Sequence, residues 1–284
     1  MSFEKYLSDP CPEPSLTRST IKLLVNDCPA RAWYQHPRLN PNYEKEESEK
    51  FDIGSIAHDL FLTGENNVEI LPYEDWRKKE AREAREEARK NGKVPILMKN
   101  HDDVSKMVEV ANKSLFDFEA RGERLNLEIK DGDSELTFIW SENGVYCRIR
   151  PDWISKGKGL VIDYKTTNGS ADPEEYASIA SNTGLDIQEA FYCRGVEKVF
   201  GIKPDFFFMI QETYPPYLCS FIELGILFEE MGQEKVRHGL RIWKECLTTG
   251  IWSGYPKELQ VVEPKPWSLG SWEFKKSLYS GETT

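Results

Sequence analysis

The chain has 284 residues, 39% of them hydrophobic and 12% aromatic, enough to bury the core of one large domain or two small ones. Its 37 basic and 48 acidic residues leave a formal charge of −11, so any surface for a polyanion has to be a local groove or channel in an acidic exterior. Apolar runs such as Asp205-Phe-Phe-Phe-Met-Ile210 are too short to span a bilayer, no basic-then-apolar leader opens the chain, and the six scattered cysteines form no CxxC pair. The expectation is a cytoplasmic protein with no membrane contact, carrying free and mostly buried thiols.

Residues 1–14 hold Pro10, Pro12 and Pro14 and read as an extended leader. Thr17 or Ser19 then caps a helix that stops before Cys28-Pro29, because proline disfavours helix at the residue before it. A polar segment over Asn40 to Lys50 leads into a short helix starting at Asp52, with apolar positions at 53, 56, 57, 60 and 61. Trp76 to Asn91 is dense in Arg, Lys, Glu and Ala, with opposite charges four apart. It reads as a solvated helix ending near Gly92, or as an arm facing DNA or a partner. Asp102 to Ala120 is a further helix, with Val104, Met107, Val108, Ala111, Leu115 and Phe118 on one stripe.

Strand signals begin after Gly122. Glu135 to Trp140, a turn through Asn143-Gly144, and Val145 to Arg150 read as a hairpin, and a turn at Lys156 to Gly159 joins its second strand to Leu160–Lys165. Asp186 to Phe200 reads as helix, Phe206 to Glu212 and Leu218 to Leu224 as strands, and Phe228 to Thr248 as a long helix. Residues 256–284 read as irregular. The order gives one α/β core with a helical N-terminal elaboration.

The chemistry concentrates in residues 150–165. Asp152 ends a strand-like run, and Asp163 and Lys165 lie two apart on the next, so they share a face while Leu160, Ile162 and Tyr164 share the other. Two carboxylates converging from neighbouring strands make an oxygen-rich site suited to Mg²⁺, and a lysine beside them can hold a water or a phosphate oxygen. Such charges are costly to bury unless paired or bound to metal. Thr166 and Thr167 continue the strand, with hydroxyls that either touch a phosphate or start a turn. His58, taken alone, is an ordinary helix histidine; beside the Asp/Asp/Lys set it becomes a metal ligand. Gln188 and Tyr192, four apart, are either a plain surface pair or a hydrogen-bonder and a stacking platform for a nucleic-acid strand. Glu135 is a further candidate acid.

Arg150-Pro-Asp152 followed by Asp163-Tyr-Lys165 resembles the PD-(D/E)xK nuclease signature. Gly54-Ser-Ile-Ala-His58 and Gln188-Glu-Ala-Phe-Tyr192 resemble the two further motifs of its RecB-like branch, and Ser19 to Pro29 resembles that branch's N-terminal helix. The likeness is nearest to the exonuclease VIII (RecE) nuclease domain and its phage relatives, and it covers residues 15–255. It implies a restriction-endonuclease-like core: a mixed central sheet flanked by helices. It also implies Mg²⁺-dependent digestion of linear double-stranded DNA from 5′ to 3′, with Mn²⁺ able to substitute. The 3′ strand would pass to a single-strand annealing protein in a bacterial host, and the enzyme would be a homo-oligomeric ring that threads DNA ends. Carried over, His58, Asp152 and Asp163 ligate metal with help from the Ile162 carbonyl. Lys165 activates the water, and Gln188 and Tyr192 hold the strand. The branch's iron–sulfur members cluster three cysteines near the C-terminus; Cys219 and Cys246 have no such neighbour, so no cluster is expected. No GxxxxGK[ST] loop occurs, so neither is ATP. A non-catalytic DNA- or protein-binding module on the same fold, or a DNA endonuclease, remains open as an alternative.

Overall fold

Ser2 accepts the Lys5 amide and starts a short helix, Phe3–Leu7 (α1), so the leader is helical at its start and not extended throughout. The computed structural model describes residues 1–44, 53–64 and 67–280. Thr17 caps Arg18–Asn26 (α2) by accepting the Thr20 amide. Pro29 lacks an amide proton and suits a first helical turn, so it both ends α2 and opens Pro29–Tyr34 (α3). Ile53–Thr63 follows as α4; Asp52 and most of the polar segment before it lie outside the described residues. Two short strands, Val68–Leu71 (β1) and Val94–Leu97 (β2), pair in parallel around the charged helix Lys79–Lys90 (α5).

The next helix, Met98–Phe116 (α6), begins and ends four residues earlier than its apolar stripe indicates; Phe118 is buried although it lies beyond the helix. After the two-residue strands Glu119–Ala120 (β3), Glu123–Arg124 (β4) and Asp133–Ser134 (β5) comes the expected hairpin, Phe138–Glu142 (β6) and Val145–Ile149 (β7). Asn143 and Gly144 both have positive φ, 52° and 78°, the pairing that a tight two-residue turn requires. The chain then runs through Trp153–Ser155 (β8), Leu160–Thr167 (β9), Pro173–Thr183 (α7), Leu185–Phe200 (α8), Asp205–Glu212 (β10), Cys219–Ile222 (β11) and Ile226–Thr249 (α9). The turn at 156–159 therefore joins β8, and not the hairpin, to β9.

The central sheet has the order β11-β10-β9-β8-β5. Its β9–β10 pair is parallel and the others antiparallel, so the sheet is mixed and mostly antiparallel. Both faces are covered. Val161, Phe206, Phe208 and Ile210 pack with Ile21, Phe191, Val236 and Trp243 from α2, α8 and α9. Leu160, Ile162, Tyr164, Phe207 and Met209 pack on the other face with Phe61 and Leu62 of α4 and Ala111 and Leu115 of α6. Each large side chain buried this way contributes roughly 1.5–3 kcal/mol. A one-residue slip of β9 would exchange its two faces, so burial on both sides fixes the register of Asp163 against Phe208.

Residues 253–284 form a separate unit. It is not irregular throughout: Pro266–Ser280 is a helix (α10) with proline at its first position. Among the described residues no helix is long and apolar enough to cross a membrane. All six cysteines are free thiols, five of them buried.

Candidate active site

The site lies where the short strand β8 runs out. Beyond Trp153, paired with Ile162, no further β8 residue meets the edge of β9. The Tyr164 amide is left facing this gap and donates to Asp152 Oδ2 at 2.8 Å. On the other side the Glu135 amide donates to the Asp152 carbonyl at 2.9 Å, one rung past the Ser134–Trp153 pair. Asp152 is therefore held between the end of β5 and the middle of β9, and not on the hairpin. Glu135, expected within the hairpin's first strand, lies outside it with φ 55°, a left-handed conformation that is uncommon for a residue with a side chain.

His58 reaches the same point from α4. Its Nε2 lies 3.2 Å from Asp152 Oδ2 and its Nδ1 lies 3.5 Å from Asp59 Oδ1. Its ring stacks on Tyr164, centroids 5.6 Å apart. That platform is held in place: the Tyr164 hydroxyl donates to Gln211 Oε1, and Gln211 Nε2 donates to the Met107 and Tyr217 backbone carbonyls at 2.9 and 3.2 Å. Ligand atoms of His58, Glu135 and Asp152 all lie within 4.8 Å of one another. Asp163 is not in this group. Its carboxylate is ion-paired with Lys165 and accepts the Gln188 side-chain amide.

Electrostatics follow from this crowding. Burial would raise the Asp152 carboxyl, but Lys165 and His58 outweigh it and hold it below the usual carboxylate range. Burial and the Asp152 charge push Asp163 up to about 6. Burial would lower His58, yet hydrogen bonds to Asp152 and Asp59 raise it to about 10. Burial opposes the Lys165 charge too, but Asp163 and Asp152 raise its pKa. Glu135 is raised by burial and by Asp152, against the pull of Arg150, with which it is ion-paired. The imidazole thus keeps a proton that the surrounding carboxylates demand. A divalent cation satisfies the same demand once the imidazole gives that proton up, and one imidazole with two carboxylates is a donor set that fits such an ion.

A cleft of about 930 Å³ opens over this cluster, lined among others by His58, Glu135, Asp152, Lys165, Thr166 and Tyr192. Tyr192 is half-buried with its ring edge-on to Phe206, and burial keeps its phenol protonated. Thr166 is half-buried at the cleft wall, while the Thr167 hydroxyl accepts the Gly169 amide in a turn. Gln188, expected to meet a DNA strand, is instead buried and directs its amide at Asp163; it shares α8 with Tyr192 but not the cleft. Ile162 stands in the sheet interior opposite Trp153, its side chain in the core. Arg148, next to the site in sequence, turns away to pair with the buried Asp9 at 2.9 Å.

The family described as "PDDEXK-like domain of unknown function (DUF3799)" matches residues 17–264. The chain belongs to that family. The matched stretch includes Asp152, just before β8, and Asp163 and Lys165 on β9. The crystal structure of a "Putative exonuclease" from Eubacterium rectale superposes with a TM-score of 0.59 at 14% identity, covering 96% of this chain and 97% of the other. At that identity the likeness carries the fold: a restriction-endonuclease-like sheet flanked by helices. Among curated proteins no match is found.

Residue patterning did not single out Phe3, Tyr6 or Asn67, which also line the cleft. Phe3 and Tyr6 arrive with the N-terminal segment, whose prolines read only as leader. Arg150 carried a signal, since it directly precedes the Pro-Asp of the motif.

Proposed function

We propose that this protein is a divalent-metal-dependent DNA nuclease of the exonuclease type. The observation that supports it best is the convergence of His58, Glu135 and Asp152 ligand atoms within 4.8 Å in one open cleft, which Lys165 also lines while pairing with the buried Asp163. His58, Glu135 and Asp152 would hold the metal, with Asp163 adjacent. Such an ion, Mg²⁺ or Mn²⁺, neutralises charge on a phosphate and lowers the pKa of water. Lys165 presents its ammonium where a water or a phosphate oxygen is to be positioned, Gln188 fixes Asp163 in orientation, and Tyr192 offers a neutral hydroxyl donor to the cleft.

The finer reading follows the family motifs and the name of the structural neighbour. It is digestion of linear duplex ends from 5′ to 3′ in the bacterial cytoplasm, leaving 3′ strands for an annealing protein, by a ring-shaped homo-oligomer. The test is one linear duplex labelled at either end, beside a covalently closed circle, with and without Mg²⁺. Loss of the 5′ label with survival of the circle is expected. A cut circle makes the protein an endonuclease. No cleavage with Mg²⁺ or Mn²⁺ makes it a binding module.

A further inference from the structure

Two chemically distinct groups line the cleft: the His58, Glu135 and Asp152 cluster, and an aromatic group of Phe3 and Tyr6 of α1 with Tyr192. Phe3 is 55% exposed, although a short helix could have turned it inward. Its ring lies 6.5 Å from that of Tyr6 at an interplanar angle of 17°, so the two rings are nearly parallel. Arg150 sits 5.8 Å from the Phe3 centroid, donates to the Met1 carbonyl at 3.0 Å, and is ion-paired with Glu135. One guanidinium therefore joins the aromatic group to a carboxylate of the candidate metal cluster.

The aromatic group is anchored from behind. Arg148 lies over the Tyr6 ring at 5.4 Å and pairs with Asp9, which also accepts the Ser15 amide and hydroxyl at 2.8 and 2.7 Å. Asp9 is buried with φ 59°, a conformation that persists only when its surroundings enforce it. The segment bearing Phe3 is thus held in place, and Phe3 lines the cleft beside Tyr6 and Arg150 with its ring exposed. An aromatic face maintained at such a position suits the π-face of an unstacked base, for which stacking is strong and sequence-tolerant.

We infer that Phe3, backed by Tyr6, stacks on the base of the nucleotide beside the scissile phosphate, so that the substrate enters the cleft as an unpaired polynucleotide end. This rests on the nuclease reading above and adds its substrate class. Two readouts keep the two apart. First, the full-length protein without divalent metal is titrated against a duplex carrying 2-aminopurine in an unpaired 5′ overhang. Fluorescence is expected to be quenched at saturation, less so by Phe3→Leu, which keeps apolar bulk, and fully again by Phe3→Trp. Second, single-turnover cleavage with Mg²⁺ is compared on a normal and an abasic 5′-terminal nucleotide. Phe3→Leu is expected to slow cleavage about tenfold on the normal end and to add nothing on the abasic one. Equal quenching by wild type and Phe3→Leu, or equal slowing on both ends, overturns the inference. Quenching without cleavage of any substrate would leave the stacking site standing and remove the nuclease reading alone.

Discussion

Asp152 and Lys165 stand on opposite sides of the catalytic question. Asp152 belongs to the ligand cluster, so Asp152→Asn should lose both metal binding and cleavage. Lys165 touches Asp163 and faces the cleft, so Lys165→Ala should keep Mn²⁺ affinity by calorimetry while cutting kcat about 10²–10³-fold, the usual cost of losing one charged donor at a developing charge. Lys165→Ala with near-wild-type turnover would refute this role. Gln188 separates two readings of one helix. If it touched DNA, Gln188→Leu would weaken binding. Because its amide is buried against Asp163, the expected result is an unchanged DNA Kd with kcat down about 10–100-fold, as for groups that orient a ligating or catalytic side chain. A higher Kd with intact kcat would restore the DNA-contact reading.

At the scale of elements, α8 brings Gln188 and Tyr192 to the site and α9 supports α8. They cross closely at Gly232, where an added Cβ would stand 2.3 Å from the Asp186 carbonyl oxygen, a backbone atom that cannot yield by rotating. Gly232→Ala should force the helices apart and cost about 3 kcal/mol by denaturant melts; a loss under about 0.5 kcal/mol would show that α9 shifts freely. Element legibility varied for physical reasons. The Thr17 cap, the α6 stripe and the Phe206–Ile210 run carry local signals that survive into the fold. Pro29 is a start as well as a stop, and Pro173 likewise occupies the first turn of a helix; Asp172 caps α7 by accepting the Glu174 amide, a signature present in the sequence. β5 and β8, two and three residues long, have no periodicity of their own; only their pairing with longer strands defines them. Hence Asp163 and Lys165 could be placed on one face from the sequence. The approach of Glu135 to Asp152 depends on a pairing that patterning does not record.

For the whole molecule, the charge of −11 is spread over a fold that buries several carboxylates, and pH acts on their sum. Half-buried Glu189 on α8 is the clearest case. Burial first, then Glu229 and Glu223, raise it to about 8, with Lys203 opposing. Its folded pKa exceeds the unfolded value, so the native state holds a proton that the unfolded chain releases. Between about pH 4.5 and 8 this group therefore subtracts stability as pH rises. Asp163, raised to about 6, acts in the same direction over a lower range. His58, raised to about 10, contributes stability that is complete below its unfolded pKa near 6.5 and declines above it. On the acid side Asp9 runs the other way: burial opposes, but His36, Arg148 and Ser15 hold its carboxyl far below the usual range, so its contribution is present above about pH 4 and lost on acidification. Metal-free protein should accordingly be most stable near pH 5–6, with Tm falling toward pH 8. Because Glu189 is partly solvated, roughly 1–2 kcal/mol of that fall is assigned to it. Glu189→Gln removes the titration and keeps the shape, so its Tm should match wild type at pH 5 and exceed it at pH 8. Parallel melting curves for the two proteins across that range would show that the decline comes from the remaining charge and not from this carboxylate.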